Sequence, residues 1–162
     1  MTSKKPDQAG EILIALGANI AGPAGPPLAT LKAALAALEN KGVAVLRLSP
    51  FYETIAWPDP SEPRFVNAVA VVGTDLQPIA LMTLLHEVET NLGRKRSAAN
   101  AARSLDLDLL DYRGRVEQGA VTLPHPRMTG RRFVLEPLAD VAPGWRHPVS
   151  GLGVDQLLAA LG

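Results

Sequence analysis

The chain contains no cysteine, so no disulfide framework holds it together and its stability has to come from a packed core. It also has no net charge, with 16 Lys and Arg against 16 Asp and Glu. That balance removes the broad positive field on which nonspecific nucleic-acid binding depends. No apolar run approaches the ~20 residues of a membrane helix. The opening MTSKKPDQAG lacks the apolar segment of a secretory signal. It is expected to be a flexible tail over residues 1–10, followed by one domain over residues 11–162 of a cytoplasmic protein. Neither a Walker loop nor a dinucleotide-binding glycine fingerprint occurs.

What is present is an apolar fraction of 47% in 162 residues, enough for one domain with a core. EILIALG (11–17) is short, apolar and closed by glycine, the pattern of a buried strand. PLATLKAALAALEN (27–40) opens on proline and repeats apolar residues at helical spacing. VAVLRLSPFYET (43–54) and FVNAVAVVGT (65–74) read as strands, separated by the proline-rich loop IAWPDPSEPR. PIALMTLLHEVETNLG (78–93) is an amphipathic helix between Pro78 and Gly93. SLDLDLLDY reads as a fourth strand, and helices are expected near 131–140 and 154–161. The order strand, helix, strand, strand, helix, strand predicts an α+β fold, a ferredoxin-like antiparallel sheet packed with helices in a single-domain sandwich. Such a fold hosts many unrelated activities.

The chemistry concentrates in ARSLDLDLLDY. In a strand, Leu105, Leu107 and Leu109 share one face while Asp106 and Asp108 share the other, roughly 7 Å apart. Two adjacent carboxylates repel, so something positive is expected over them. Mg²⁺ sites use one or two carboxylates together with phosphate oxygens, and a metal pair fits between carboxylates so spaced. A solvated outer sheet face is the alternative. Between Arg94 and Arg132 stand nine Lys or Arg against four acids, and guanidinium groups beside such carboxylates suit a nucleoside triphosphate. Arg94 and Lys95, at a helix end, equally suit the helix dipole. Glu89 falls on the edge of an apolar stripe, where its carboxylate needs a partner.

Taken in order, ALGAN, SPFYET, RFVNAV, ETNLGRKR, RSLDLDLLDY, LPHPRM, RRFVLEPLADVAP and HPVSG resemble the 6-hydroxymethyl-7,8-dihydropterin pyrophosphokinase family, from about residue 12 to the C-terminal region. The resemblance implies transfer of the β,γ-diphosphate of ATP to a pterin alcohol, releasing AMP, with two Mg²⁺ on Asp106 and Asp108. It implies that Arg94 and Arg103 hold phosphate and count with the aspartates as catalytic, with Arg96, His125 and Arg131 in support. Glu89 then belongs to the nucleotide pocket, and Leu109 and Leu110 offer backbone groups to adenine.

For the pterin, the resemblance implies a ring clamp of Phe65 and Phe133, edge recognition by Asn67, and further contacts from Thr54 and the backbone near Trp57. An aromatic pair is a sound clamp for a flat heterocycle, and Asn67 carries both a donor and an acceptor. Core packing is the alternative for the phenylalanines. The chain departs from the family at Asn100, Ala101 and Ala102, where Trp-Gly-Pro is usual, and at Ile55, Ala56, Ala120 and Pro126. The expected partners are ATP and a reduced pterin, with no nucleic acid and no membrane, and the chain is expected to be a monomer. On residues alone, a nonenzymatic ligand-sensing module and another Mg²⁺-dependent nucleotidyl or phosphoryl transferase stay open.

Overall fold

A computed structural model describes residues 10–19, 22–54, 65–92 and 105–162. Strand β1 (Ile12–Ala18) leads to helix α1 (Pro27–Asn40), whose Pro27 occupies the first turn, where a missing N–H costs nothing. Leu31, Ala34 and Leu38 form its buried stripe. The helix stops at Gly42, whose φ of 87° suits glycine. There the Val43 N–H donates to the Leu38 carbonyl and the Gly42 N–H to that of Glu39, two bonds that satisfy last-turn carbonyls.

Strands β2 (Ala44–Leu48), β3 (Tyr52–Thr54) and β4 (Phe65–Gly73) follow, then helix α2 (Pro78–Asn91) and strand β5 (Asp106–Tyr112). The five strands form one antiparallel sheet in the order β2-β4-β1-β5, with β3 also pairing with β4. The predicted strand over residues 43–54 is thus two strands. At the break Pro50 has no N–H to give to the ladder, and the Ser49 hydroxyl stands in for a backbone carbonyl by accepting the Val69 N–H at 3.0 Å. Counting β2 and β3 as one interrupted strand recovers the ferredoxin-like order.

Both faces of the sheet carry helices. On one, Ile12, Ile14 and Leu16 of β1 and Leu107 and Leu109 of β5 pack with Leu31 and Leu38 of α1 and Leu81 and Leu85 of α2. The other is covered by helices α3 (Arg132–Val141) and α4 (Val154–Leu161), which bury Leu13, Ala15, Val69, Val71 and Leu110. A register shift between Leu13 and Ile14 leaves Leu110 as an extra residue in β5. This bulge turns Leu110 and Asp111 toward the same layer, where Trp145 Nε1 donates to Asp111 at 2.8 Å and the Gly114 N–H at 3.1 Å. Burial raises the Asp111 pKa, against the lowering effect of those hydrogen bonds.

Helix α3 spans the sheet. Ten residues extend about 15 Å, close to the roughly 14 Å of three strand spacings from β5 to β3. At its start Arg131 lies 3.7 Å from Asp108. At its end the Tyr52 hydroxyl donates to Asp140 and Arg47 Nε to the Val141 carbonyl. Among the described residues no helix is long and apolar enough to cross a membrane.

Candidate active site

The second face has an apolar half under α3 and α4 and a polar half beside it. Register sets Tyr52, Asn67, Gly17 and Asp106 in one row across β3, β4, β1 and β5, with Val69, Ala15 and Asp108 in the next. Paired residues share a face, so Asp106 and Asp108 stand beside Gly17 and Asn67, away from the leucine layer. The aspartates are half-buried and Asn67 is buried. Phe65, two residues before Asn67 on the same face, is 38% exposed, and Phe133 in the first turn of α3 is 44% exposed. Neither is a core residue. Arg131 lies over the Phe133 ring, 5.6 Å from its centroid. Thr54 is exposed and pairs with Phe65.

After β5 the chain wraps around the outer edge of that strand. Val121 and Leu123 enter the α1/α2 core, whereas Met128 enters the α3/α4 core. His125 sits at the crossing, its N–H donating to the Leu110 carbonyl at 2.8 Å. Its Nδ1 accepts the Arg127 N–H at 3.1 Å, so the neutral ring carries its proton on Nε2. That atom lies 3.9 Å from Asp108 Oδ1, too far for a direct hydrogen bond. Burial holds His125 below its usual pKa, aided by Arg131 and Arg127 and opposed by Asp108. Donors from His125 and Arg131 therefore both face Asp108.

Glu89 is 1% exposed, and its Oε2 accepts the Leu107 N–H at 2.7 Å. The partner expected for this carboxylate is the β5 backbone between the two aspartates. Behind it lies a cleft of about 240 Å³ lined by Met82, Leu85 and His86 of α2, Leu109 of β5, and Thr122 and His125 of the loop. It is smaller than the roughly 300–1,000 Å³ of a whole-ligand pocket. Sequence reasoning named Leu109 and His125 here but missed Met82 and His86, one turn apart on α2, and Thr122, some forty residues further along the chain, which together carry no local motif.

The structure thus brings together Asp106, Asp108, His125 and Arg131, with Asn67 and Phe65 on the same face, Phe133 on the helix above, and Glu89 and Leu109 at the strand edge. Trp57, Arg94, Arg96 and Arg103 lie outside the described residues. Among the described residues no three His, Cys, Asp or Glu side chains are grouped to hold a metal alone. Two carboxylates are instead the donor set for Mg²⁺ that takes its other ligands from phosphate and water, so the residues fit that ion.

The family model of 7,8-dihydro-6-hydroxymethylpterin-pyrophosphokinase matches residues 13–143. The chain is 39% identical over 155 residues to the 2-amino-4-hydroxy-6-hydroxymethyldihydropteridine pyrophosphokinase of Synechocystis sp., covering 94% of this chain and 77% of that protein. It is 39% identical over 151 residues to the protein of the same name from Pseudomonas aeruginosa, covering 92% and 90%. A folic acid synthesis protein of Pneumocystis carinii is 35% identical over 144 residues, which are 88% of this chain but 19% of that protein. With the match running from β1 through α3, and so across every strand that supplies a candidate site residue, the chain belongs to the 7,8-dihydro-6-hydroxymethylpterin-pyrophosphokinase family.

Proposed function

We propose that the protein transfers the β,γ-diphosphate of ATP to the hydroxymethyl oxygen of 6-hydroxymethyl-7,8-dihydropterin, a step of folate biosynthesis, acting as a cytoplasmic monomer. The observation that carries this reading is the row Asn67, Gly17, Asp106, which sets an amide two strands from a carboxylate pair on one face of the sheet. An amide suits the pyrimidine edge of a pterin, and the carboxylates suit the polyphosphate end of ATP.

In this mechanism Phe65 and Phe133 stack on the two ring faces and Asn67 orients the ring, with Thr54 and the backbone near Trp57 completing the slot. The alcohol is thereby held toward Asp106 and the β-phosphorus. Asp106 and Asp108 hold Mg²⁺, which when bound neutralises phosphate charge and makes the β-phosphorus more electrophilic. His125 Nε2–H and Arg131 donate to phosphate oxygens beside Asp108, while Arg94 and Arg103 grip the same polyphosphate with support from Arg96. The alcohol oxygen forms a bond to the β-phosphorus, the bond from that phosphorus to the α,β-bridging oxygen breaks, AMP departs with that oxygen, and the alcohol proton is released. The cleft between α2 and the outer edge of β5 takes the adenine, with Leu109 backbone groups at its edge and Glu89 fixing its wall.

Incubation with Mg²⁺, ATP and the reduced pterin tests this reading. AMP and pterin diphosphate are expected in equal amounts. ADP as the main nucleotide product would indicate a different phosphoryl transferase, and no Mg²⁺-dependent ATP binding would indicate a sensing module.

A further inference from the structure

Gly17 lies inside β1, and its backbone is not in the left-handed region that favours glycine. Conformation therefore does not explain the choice, and glycine in a strand interior carries a cost in chain entropy. Space does explain it. A Cβ built on Gly17 would fall 2.7 Å from Asn67 Oδ1, and its next neighbours, Asn67 Cγ and the Val66 carbonyl oxygen, lie at 3.8 and 3.9 Å. The one atom in conflict is the tip of the Asn67 side chain. The Asn67 amide thus reaches from β4 over β1 and fills the place where any other residue at position 17 would put its side chain.

We infer that Gly17 is a positioning residue for pterin recognition: its missing side chain lets the Asn67 amide lie over β1, one strand closer to Asp106. This rests on the functional reading above and deepens it. The pyrimidine edge of the substrate is then met over β1, and Asp106 stands one strand spacing further on, about 4.8 Å. The length of the substrate from ring edge to alcohol is thereby measured across β1 and β5. With alanine at position 17 the methyl group takes the place of Oδ1 and returns the amide toward β4. Because the conflicting atom ends a rotatable side chain, the fold absorbs the change.

The test compares wild type, Gly17→Ala, Asn67→Ala and the double variant. Each is titrated with the pterin in the presence of Mg²⁺ and a nonhydrolysable ATP analogue, with the analogue alone, and by thermal melting. Gly17→Ala should weaken pterin binding about tenfold or more, the scale of a mispaired hydrogen-bonding edge. Analogue binding and melting temperature should hold. In the Asn67→Ala background the same substitution should change pterin affinity by less than about twofold, because the coupling partner is gone. The side-chain amide NMR signals of Asn67 should also move in ligand-free Gly17→Ala, a readout that does not depend on measurable binding. Equal losses in both backgrounds would overturn the inference in favour of direct contact between residue 17 and the ring. Unmoved Asn67 signals, or a fall in melting temperature with equal loss of both ligands, would overturn it too. A wild type that binds the analogue but no pterin would overturn the functional reading itself, and the inference with it.

Discussion

The Glu89 carboxylate accepts the Leu107 N–H at 2.7 Å, midway between Asp106 and Asp108 on the outer edge of β5. Among the described residues Leu107 has no strand on that side, so Glu89 stands in for one. Glu89→Ala leaves a buried N–H without its acceptor, which costs about 1–3 kcal/mol. The expected result is a lower melting temperature together with reduced turnover, because the segment carrying both aspartates loosens. Glu89→Gln keeps an oxygen acceptor and should fall between the two. Thermal melting and initial rates on the three proteins check this.

Asp106→Asn and Asp108→Asn each keep shape and remove a negative ligand. Turnover should fall roughly 10²-fold or more at saturating Mg²⁺, the scale on which a lost electrostatic stabiliser is felt. Each change relieves the repulsion between the two carboxylates, and Asp108→Asn also removes the pairing with Arg131 at 3.7 Å, so the ligand-free variants should stay folded with melting temperatures close to that of wild type. Near-normal rates in either variant would remove that residue from the metal site.

Exposure separates the two phenylalanines from the core. Truncating a buried Phe costs about 3–5 kcal/mol, but Phe65 and Phe133 are 38% and 44% exposed. Each change to alanine should therefore leave the melting temperature nearly unchanged. Pterin binding should weaken about 5- to 150-fold, the equivalent of roughly 1–3 kcal/mol of stacking. Titration with the pterin and with an ATP analogue distinguishes this from a general loss.

Tyr52 supplies a pH prediction. Its hydrogen bond to Asp140, then burial, then the charges of Asp140 and Glu136 push the phenol up to about 12 from 10.0. The folded value lies above the unfolded one, so the stabilisation is fully present below pH 10.0 and is lost as pH rises through about 12. Spectrophotometric titration of phenolate in a Tyr112→Phe background, which leaves Tyr52 as the remaining tyrosine, should show the late titration. Asp140→Asn should bring it back toward 10.0.

Period-two alternation was enough to separate Leu105, Leu107 and Leu109 from Asp106 and Asp108, and proline starts with apolar stripes were enough to find α1 and α2. Continued strictly, the same alternation would have put Asp111 in the leucine core. The bulge that prevents this is set by cross-strand register, and its trace in DLDLLDY is the adjacent pair Leu109 and Leu110, which breaks the alternation at the extra residue. The break between β2 and β3 also had a local signal, Pro50 inside an apolar run, and the role of Gly17 had another, a glycine inside a strand. Asp106, Asp108 and Asn67 were legible because polar residues among apolar strand residues stand out. Met82 and His86 of α2 and Thr122 of the loop were not, because only the wrapping of that loop around β5 brings Thr122 to the helix.

That wrapping also governs how the sheet meets other proteins. An open strand edge invites pairing with a neighbouring molecule and, from there, aggregation. At the β5 edge, Glu89 occupies the Leu107 N–H and His125 occupies the Leu110 carbonyl. At the opposite edge the chain relies on irregularity instead. The shift between Val45 and Arg47 leaves Leu46 as an extra residue, and Pro50 interrupts the next stretch. Leu46 and Leu48 are 61% and 38% exposed there. A bulge and a proline are the devices that keep a strand edge from templating a foreign strand, and here they stand beside the apolar side chains that would otherwise invite one.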